Sequence, residues 1–513
     1  MKKNNSNKHR LLPLLRIVAA AIVLVSVTLF WWLWHPEVLN YQEQYQMFQT
    51  TGSYLVSHLS VAGGISVYIA EFLTQFNLYP FVGSLFIALQ VMAVMLLVDR
   101  LINKLGSGNA LKYLSVLIAT AIAVLICWMM GDENLLPSFL TAIVLMLAGI
   151  NIIFLYKGLV TRIVVSILVF PALFWMCADR HYRIPHQFLS APGFDADKTE
   201  VLEYDMLVRQ NEWNKIIKKA ESHSPSHPLA IQALNLALAK QQWLGDRMFE
   251  FKQIGVDGLM YPWRNNSVED VISSEVAWNV GFINTAYRLS FDSQEAIPDK
   301  RRSARLTKRM VECCIVNGDY SIARKYINHL KHTLMYSKWA ERAEKVLFDD
   351  SKVAAHPVWG EKRAIRPKQE YFFYYPELPK LFALIATESN GKNQIAWDYF
   401  NAAVLLKGDL ETFVGMSHFS QEMFGKAILP RHQQEAWAFF WTSVHPSFEG
   451  IPVAVAADIQ QRISSFASKF MQSKGQFTGF EKDYSDTYWL YFLRMQQKSA
   501  QSQETDGVTS ATQ

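Results

Sequence analysis

The sequence predicts an all-α protein: an N-terminal bundle of about five transmembrane helices, then a soluble helical array. Three observations carry this. Five strongly apolar runs crowd the first third of the chain. Lys and Arg cluster between alternate runs. From Asp179 onward helical periodicity recurs with short turns and few strand signals. The chain has 513 residues with 50 Lys plus Arg against 45 Asp plus Glu, and only 19% are charged. Soluble chains usually carry about 25%, and the deficit is local to the first third.

Apolar stretches of about 18 residues read as membrane spans. They fall at residues 17–34, 81–98, 113–130, 139–156 and 163–178, the last being the shortest and carrying Pro171, expected to kink it. The first run follows the basic leader "MKKNNSNKHR". It reads as an uncleaved anchor and not a signal peptide, because it is long, ends in Trp31, Trp32 and Trp34, and lacks a small-residue cleavage motif.

Orientation follows from the cations. Lys2, Lys3, Lys8, Arg10 and Arg16 precede the first run; Arg100, Lys104 and Lys112 follow the second; Lys157 and Arg162 follow the fourth. Residues 35–80 and "GDENLLPS" contain no Lys or Arg. The positive-inside rule then places residues 1–16 in the cytoplasm, 17–178 in the membrane with an external amphipathic loop at 35–80, and 179–497 outside the cytoplasm. The small, polar tail 498–513 is expected to be disordered.

Within the loop, residues 61–78 are nearly long enough to span. Glu71 near the centre would cost about 2.5–3.5 kcal/mol. Ile65, Tyr68, Ile69, Phe72, Leu73 and Phe76 instead mark one face of a helix. Tyr41, Tyr45, Phe48, Leu55 and Leu59 mark another. Two amphipathic helices bent at Gly63-Gly64 are expected, lying on the outer membrane surface or packed over the bundle, and the lack of the cations usual in interfacial helices favours packing.

In the second half three turns share a spacing: Asn211 with Trp213 and Ile216, Gly318 with Tyr320 and Ala323, Gly408 with Leu410 and Phe413. A turn residue, an apolar residue two on and another five on let a second helix pack back on the first. These turns, best seen in "NGDYSIARKYI", resemble the tetratricopeptide repeat. Their spacing is irregular where that family repeats about every 34 residues. Divergent repeats and a plain antiparallel array both fit. "HPVWGEKRAIRPKQEYFFYYPELP" is expected to connect two helical subdomains.

The whole chain resembles a family of uncharacterised bacterial inner-membrane proteins known only as a domain of unknown function. "HPEVLNYQEQYQMF", "GGISVYIAEFLTQFNLYPFVGSL", "LALAKQQWLGDRMF", "NGDYSIARKYINHLKHTLMYSKWAE" and "NQIAWDYFNAAVLLKGDLETF" carry the resemblance. It implies a several-pass anchor and a helical periplasmic half, and it implies no activity.

Motifs of chemistry are few. There is no phosphate-binding glycine loop, HExxH, CxxC or GxSxG, and no cofactor is expected. Cys127, Cys177, Cys313 and Cys314 sit in apolar or helical patterns and form no disulfide framework. His181 and His186 lack a carboxylate or Cys at metal-ligand spacing. Ser417 and His418 are chain neighbours that do not face each other in a helix. Asn265 in "RNNS" forms a glycosylation sequon, which means little in the bacterial setting that the resemblance implies. The basic run 299–309 reads as a solvated helix face outside the cytoplasm, with contact to anionic lipid or glycan as the lesser alternative and no nucleic-acid partner expected.

Glu37 and Glu43 are the weak catalytic candidates, since lipid-phosphate-using glycosyltransferases place an acid in their first external loop. A carboxylate there could act as general base or hold a metal. The plainer reading is that both solvate a helix face. Two functions remain: a membrane-anchored scaffold binding an extracytoplasmic protein or peptide, or an envelope glycan or lipid enzyme using the acidic loop.

Overall fold

The computed structural model describes residues 3–106, 108–130, 137–178, 196–262, 269–297, 301–368, 373–476 and 479–498. Among them the protein is all-α, with no strand beyond an isolated bridge between Ile254 and Val256. Helix α1 (Lys3–Leu29) runs into a π-helical turn at Phe30–Trp34. Then come α2 (Pro36–Gln44), α3 (Gly52–Leu59), α4 (Gly64–Thr74) with a 3-10 turn at Gln75–Leu78, α5 (Pro80–Leu105), α6 (Asn109–Met129), α7 (Pro137–Ile153) and α8 (Leu159–Cys177). The second half holds α9 (Ala196–Arg209), α10 (Trp213–Ser222), α11 (Pro228–Lys240), α12 (Leu244–Arg247), α13 (Glu269–Val280), α14 (Ile283–Glu295), α15 (Ala304–Asn317), α16 (Tyr320–Lys331) and α17 (Ser337–Glu344). It continues with α18 (Asp350–Ala355), α19 (Trp359–Ile365), α20 (Leu378–Glu388), α21 (Gln394–Lys407), α22 (Leu410–Met416), α23 (Phe419–Phe424), α24 (Arg431–Val444), α25 (Ala457–Gln472) and α26 (Glu481–Tyr484).

Among the described residues four helices are long and apolar enough to cross a membrane: Leu11–Trp34, Pro80–Leu105, Ala110–Met129 and Leu159–Cys177. Helix α7 is apolar but shorter. The short run is thus the fourth and not the fifth, because α8 continues unbroken through Pro171. Apolar helices tolerate an internal proline when local adjustment or neighbours satisfy the freed backbone groups.

The chain divides into two compact units. The first comprises residues 1–206, 297–308 and 324–345; the second comprises 207–296, 309–323 and 346–513. Segments from beyond the last apolar helix therefore belong to the same unit as the bundle.

In the first unit α5 packs against α1, α6 and α7, and α4 packs against α7 and α8. Polar groups knot one end of these helices. Arg16 Nε lies 2.8 Å from Asp99 Oδ2, and Asp99 Oδ1 accepts from Ser115 Oγ at 2.5 Å and Asn103 Nδ2 at 2.9 Å. All four free cysteines are buried, and Cys127 Sγ accepts from Trp31 Nε1 at 3.3 Å.

In the second unit α11 and α21 are buried on every side, Leu229 to Ala239 and Ala396 to Leu406 without interruption. Helices apolar all round belong at the centre of a packed unit, and here they touch each other and α12 and α13. Several of their polar groups are paired: Asn235 Nδ2 donates to the Gly258 carbonyl at 2.8 Å, and Asp398 meets Gln394 at 2.7 Å and Lys426 at 3.2 Å. Of the connecting stretch 356–379, Trp359–Ile365 is helical, Phe373 packs edge-on to Phe282, and Tyr375 Oη donates to Asp257 at 2.5 Å.

The turns of matched spacing share one backbone device. Asn211, Gly318 and Gly408 have φ of 57°, 89° and 72°. Each N–H bonds to the carbonyl three residues back, and the following N–H reaches five back, as in Asp319 N to Cys314 O at 2.8 Å and Asp409 N to Val404 O at 3.0 Å. This Schellman arrangement satisfies the last carbonyls of one helix and aims the chain into the next. Trp213, Tyr320 and Leu410 open the following helices, and Ile216, Ala323 and Phe413 are fully buried.

A methyl group added at Gly318 meets nothing within 4 Å, whereas at Gly408 it would lie 2.5 Å from Met495 Cε and 3.0 Å from the Phe492 ring. Gly318→Ala should therefore cost only the strain of placing a Cβ in the left-handed region, about 1–2 kcal/mol. Gly408→Ala should lower the melting temperature of the purified full-length protein further; equal shifts would contradict this packing.

Candidate functional site

Chemistry-bearing residues gather in the connection between the first two long apolar helices. The expectation that Glu37 and Glu43 solvate a helix face is corrected: each is only 2% exposed. Pro36 opens α2, Glu37 sits in its positive first turn, and its Oε1 lies 3.0 Å from His35 Nδ1. Almost the whole of α2 is buried, including Asn40, Gln42 and Gln44. Its polar residues serve packing and not solvation.

The reason lies far away in sequence. Gln44 Nε2 donates to Asp205 Oδ2 at 3.1 Å, Arg305 Nη1 lies 2.8 Å from the same carboxylate, and Arg305 also donates to Gln44 Oε1 at 3.0 Å. Helices α2, α9 and α15 are thus joined by a buried ion pair with an amide bridging it. Beyond Gln44 the single amphipathic helix expected through Leu59 is interrupted. Met47 N–H donates to the Arg302 carbonyl at 2.9 Å and Thr50 N–H to the His332 carbonyl at 2.8 Å, so this backbone bonds other segments and not its own turn. Thr51 then caps α3, accepting from Tyr54 N at 3.3 Å.

Helices α3 and α4 meet through Tyr54, His58 and Glu71. Tyr54 Oη donates to Glu71 Oε2, and His58 Nε2 lies 3.2 Å from the same oxygen. His58 Nδ1 faces the Tyr54 carbonyl at 2.8 Å. Both imidazole nitrogens face acceptors, which only the imidazolium satisfies. Burial alone would lower the His58 pKa, and Arg301 opposes protonation. The Glu71 hydrogen bond, the Tyr54 carbonyl and the Glu71 charge outweigh both and raise it above 6.5. Burial and the Glu71 carboxylate raise the Tyr54 phenol well above its ordinary value, so it serves as a donor and not a nucleophile.

A cavity of about 20 Å³ lies beside this connection, lined by Gln42, Thr74, Asn77, Gln90 and Thr141 among apolar neighbours. That is room for about one water and far below the roughly 300 Å³ of a small-molecule site. Asn77 Nδ2 reaches Gln42 Oε1 at 3.5 Å and Thr141 Oγ1 donates to Gln90 Oε1 at 3.0 Å.

In the second unit the titratable groups are equally committed. His432 Nδ1 meets Glu435 Oε2 at 2.9 Å, an acid–histidine pair that sequence reading missed, but its Nε2 accepts the Phe249 N–H at 3.3 Å. No ring nitrogen remains to take a substrate proton. Lys362 is 3% exposed, burial pushes its ammonium down to about 8, and it caps α13 at the Asn279 carbonyl, 3.2 Å away. Ser417 Oγ bonds to the Val414 carbonyl at 2.8 Å while the His418 ring lies against Phe419, so the two form no pair. His181, His186, Asn265 and the tail beyond residue 498 lie outside the described residues. Among the described residues no His, Cys, Asp or Glu group is arranged to hold a metal ion.

Two outcomes follow. Asp205→Asn strands the Arg305 charge and should cost about 3–5 kcal/mol, whereas Asp205→Leu with Arg305→Met should recover most of it. Thermal unfolding of the single and double variants compares them; a double variant as unstable as the single would contradict the ion-pair account. Because the folded His58 pKa is raised, its stabilisation is full below the ordinary value and fades as pH rises through the folded one. Wild type should therefore lose more thermal stability than His58→Gln between about pH 6 and 9, and parallel slopes would contradict it.

No curated protein and no solved structure matches the chain. A family model matches residues 10–184 and 178–494, nearly the whole length. The chain belongs to the family of unknown function DUF6057.

Proposed function

We propose that this is a multi-pass protein of the bacterial inner membrane whose extracytoplasmic helical array, tetratricopeptide-like in its turns, is a scaffold binding a protein or peptide. The observation that carries the reading is the repeated helix pair closed by a left-handed cap, at Asn211, Gly318 and Gly408. Stacked helix pairs present side chains in rows suited to extended partners, an analogy from architecture.

Parity supports the topology. Backbone bonds join Met47 to Arg302 and Thr50 to His332, so the connection after the first apolar helix and the segments near residues 302 and 332 share one side. Helices α5 to α8 lie between them in the chain. Only an even number of crossings agrees, which counts the short α7 as a span. The Arg16–Asp99 pair at the opposite end fits a basic, cytoplasmic face.

The enzyme alternative is less well supported. A base acting on an acceptor hydroxyl must reach it directly or through one water, and Glu37 and Glu43 are buried.

Photo-crosslinkers at Ile428, Val444 and Met471, exposed by 71%, 65% and 76%, test the scaffold reading in living cells. A reproducible extracytoplasmic protein adduct from at least one position is expected. Adducts with lipid or bulk neighbours alone would remove it.

A further inference from the structure

Helix α3 has no buried residue, and Leu55, Val56, Leu59 and the adjoining Val61 are 37%, 63%, 46% and 56% exposed. Its polar side turns inward, where Tyr54 and His58 meet Glu71. The turn after it is fixed to the last apolar helix: Gly63 N–H donates to the Trp175 carbonyl at 2.7 Å. Trp175 is exposed, as are Trp34 at the end of α1 and Tyr79 and Phe81 at the start of α5. Exposed aromatic residues at the ends of apolar helices mark the level of lipid headgroups. The aliphatic edge of α3 lies at that level.

The segments bonded to the chain just before α3 are strongly basic. Residues 301–308 and 324–345 hold ten Lys and Arg, and their only acids are Glu341 and Glu344. Arg301 is close enough to act on the ionisation of Tyr54 and His58. Lys325, His329 and His332 lie at i, i+4 and i+7 along α16 and its end, all exposed. Burial, Arg302 and His332 together lower the His329 pKa, so near neutral pH this ring is an uncharged hydrogen-bond donor beside the Arg302 guanidinium. Translocated segments of long domains escape the charge bias of short loops, so this face is compatible with an extracytoplasmic position.

We infer that α3 and this basic face form one lipid-docking surface. The aliphatic edge enters the leaflet on the side of the C-terminal half, Arg302 and Lys325 take the phosphates of anionic phospholipid headgroups, and the exposed His329 and His332 rings beside them add hydrogen bonds. Cations near an anionic surface each strengthen binding roughly fivefold. The inference rests on the membrane-spanning reading above.

The test uses full-length protein. Carbonate washing of membranes comes first, and retention in the pellet is expected; release would overturn both the spanning reading and this inference. Detergent-purified, delipidated protein is then titrated with phosphatidylglycerol or phosphatidylcholine and bound lipids are counted by native mass spectrometry. Wild type should prefer phosphatidylglycerol, Arg302→Gln with Lys325→Gln should weaken that binding by roughly 25-fold, and Lys215→Gln with Lys380→Gln should not. Retention in the pellet without a headgroup preference, or equal loss in both double variants, would overturn the docking surface while leaving the spanning reading intact.

Discussion

The first unit depends on burying two opposite charges together. Asp205 and Arg305 are 6% and 7% exposed, and neither would be tolerated in that place alone. Gln44 completes the arrangement by donating to the carboxylate and accepting from the guanidinium. An amide can do both, and a carboxylate or an amine at that position could not. This requirement reaches back through α2, whose polar face must turn inward for Gln44 to arrive. The burial of Glu37 and Glu43 follows from the same orientation.

On the proposed membrane-spanning reading a second constraint is the bilayer, which admits only chain whose backbone groups are bonded within the segment. It makes the connection 35–80 and the segments near 302 and 332 a question of sidedness. Backbone hydrogen bonds between them cannot form across a membrane. The ends of α5 and α6 are tied separately by Asp99, Asn103 and Ser115. The connection is thus better understood as a strap joining the apolar helices to later helices than as an open acidic loop.

The apolar runs, the helical second half and the turns at Asn211, Gly318 and Gly408 were legible because each signal is local: run length, the 3.6-residue period, a residue able to adopt positive φ. Helix α7 was misjudged in length because hydropathy continues past Ile153 while the backbone turns. The loop was misread for a different reason. Tyr41, Tyr45 and Phe48 do fit a helical stripe, but the bonds of Met47 and Thr50 to Arg302 and His332 outcompete that local preference. Gln44, Asp205 and Arg305 left no trace in a single sequence, being separated by 161 and 100 positions. The polar character of α2 looked like solvation when it was internal pairing.

The central claim is that the connection after α1 and the helical segments near residue 325 lie on one side of the membrane. Because all four native cysteines are buried, single cysteines at Val56, Lys325 and Lys104 can be labelled in intact cells with a membrane-impermeant thiol reagent. The account predicts labelling at Val56 and Lys325 and, at Lys104, only after permeabilisation. Labelling at one of Val56 and Lys325 without the other would contradict it.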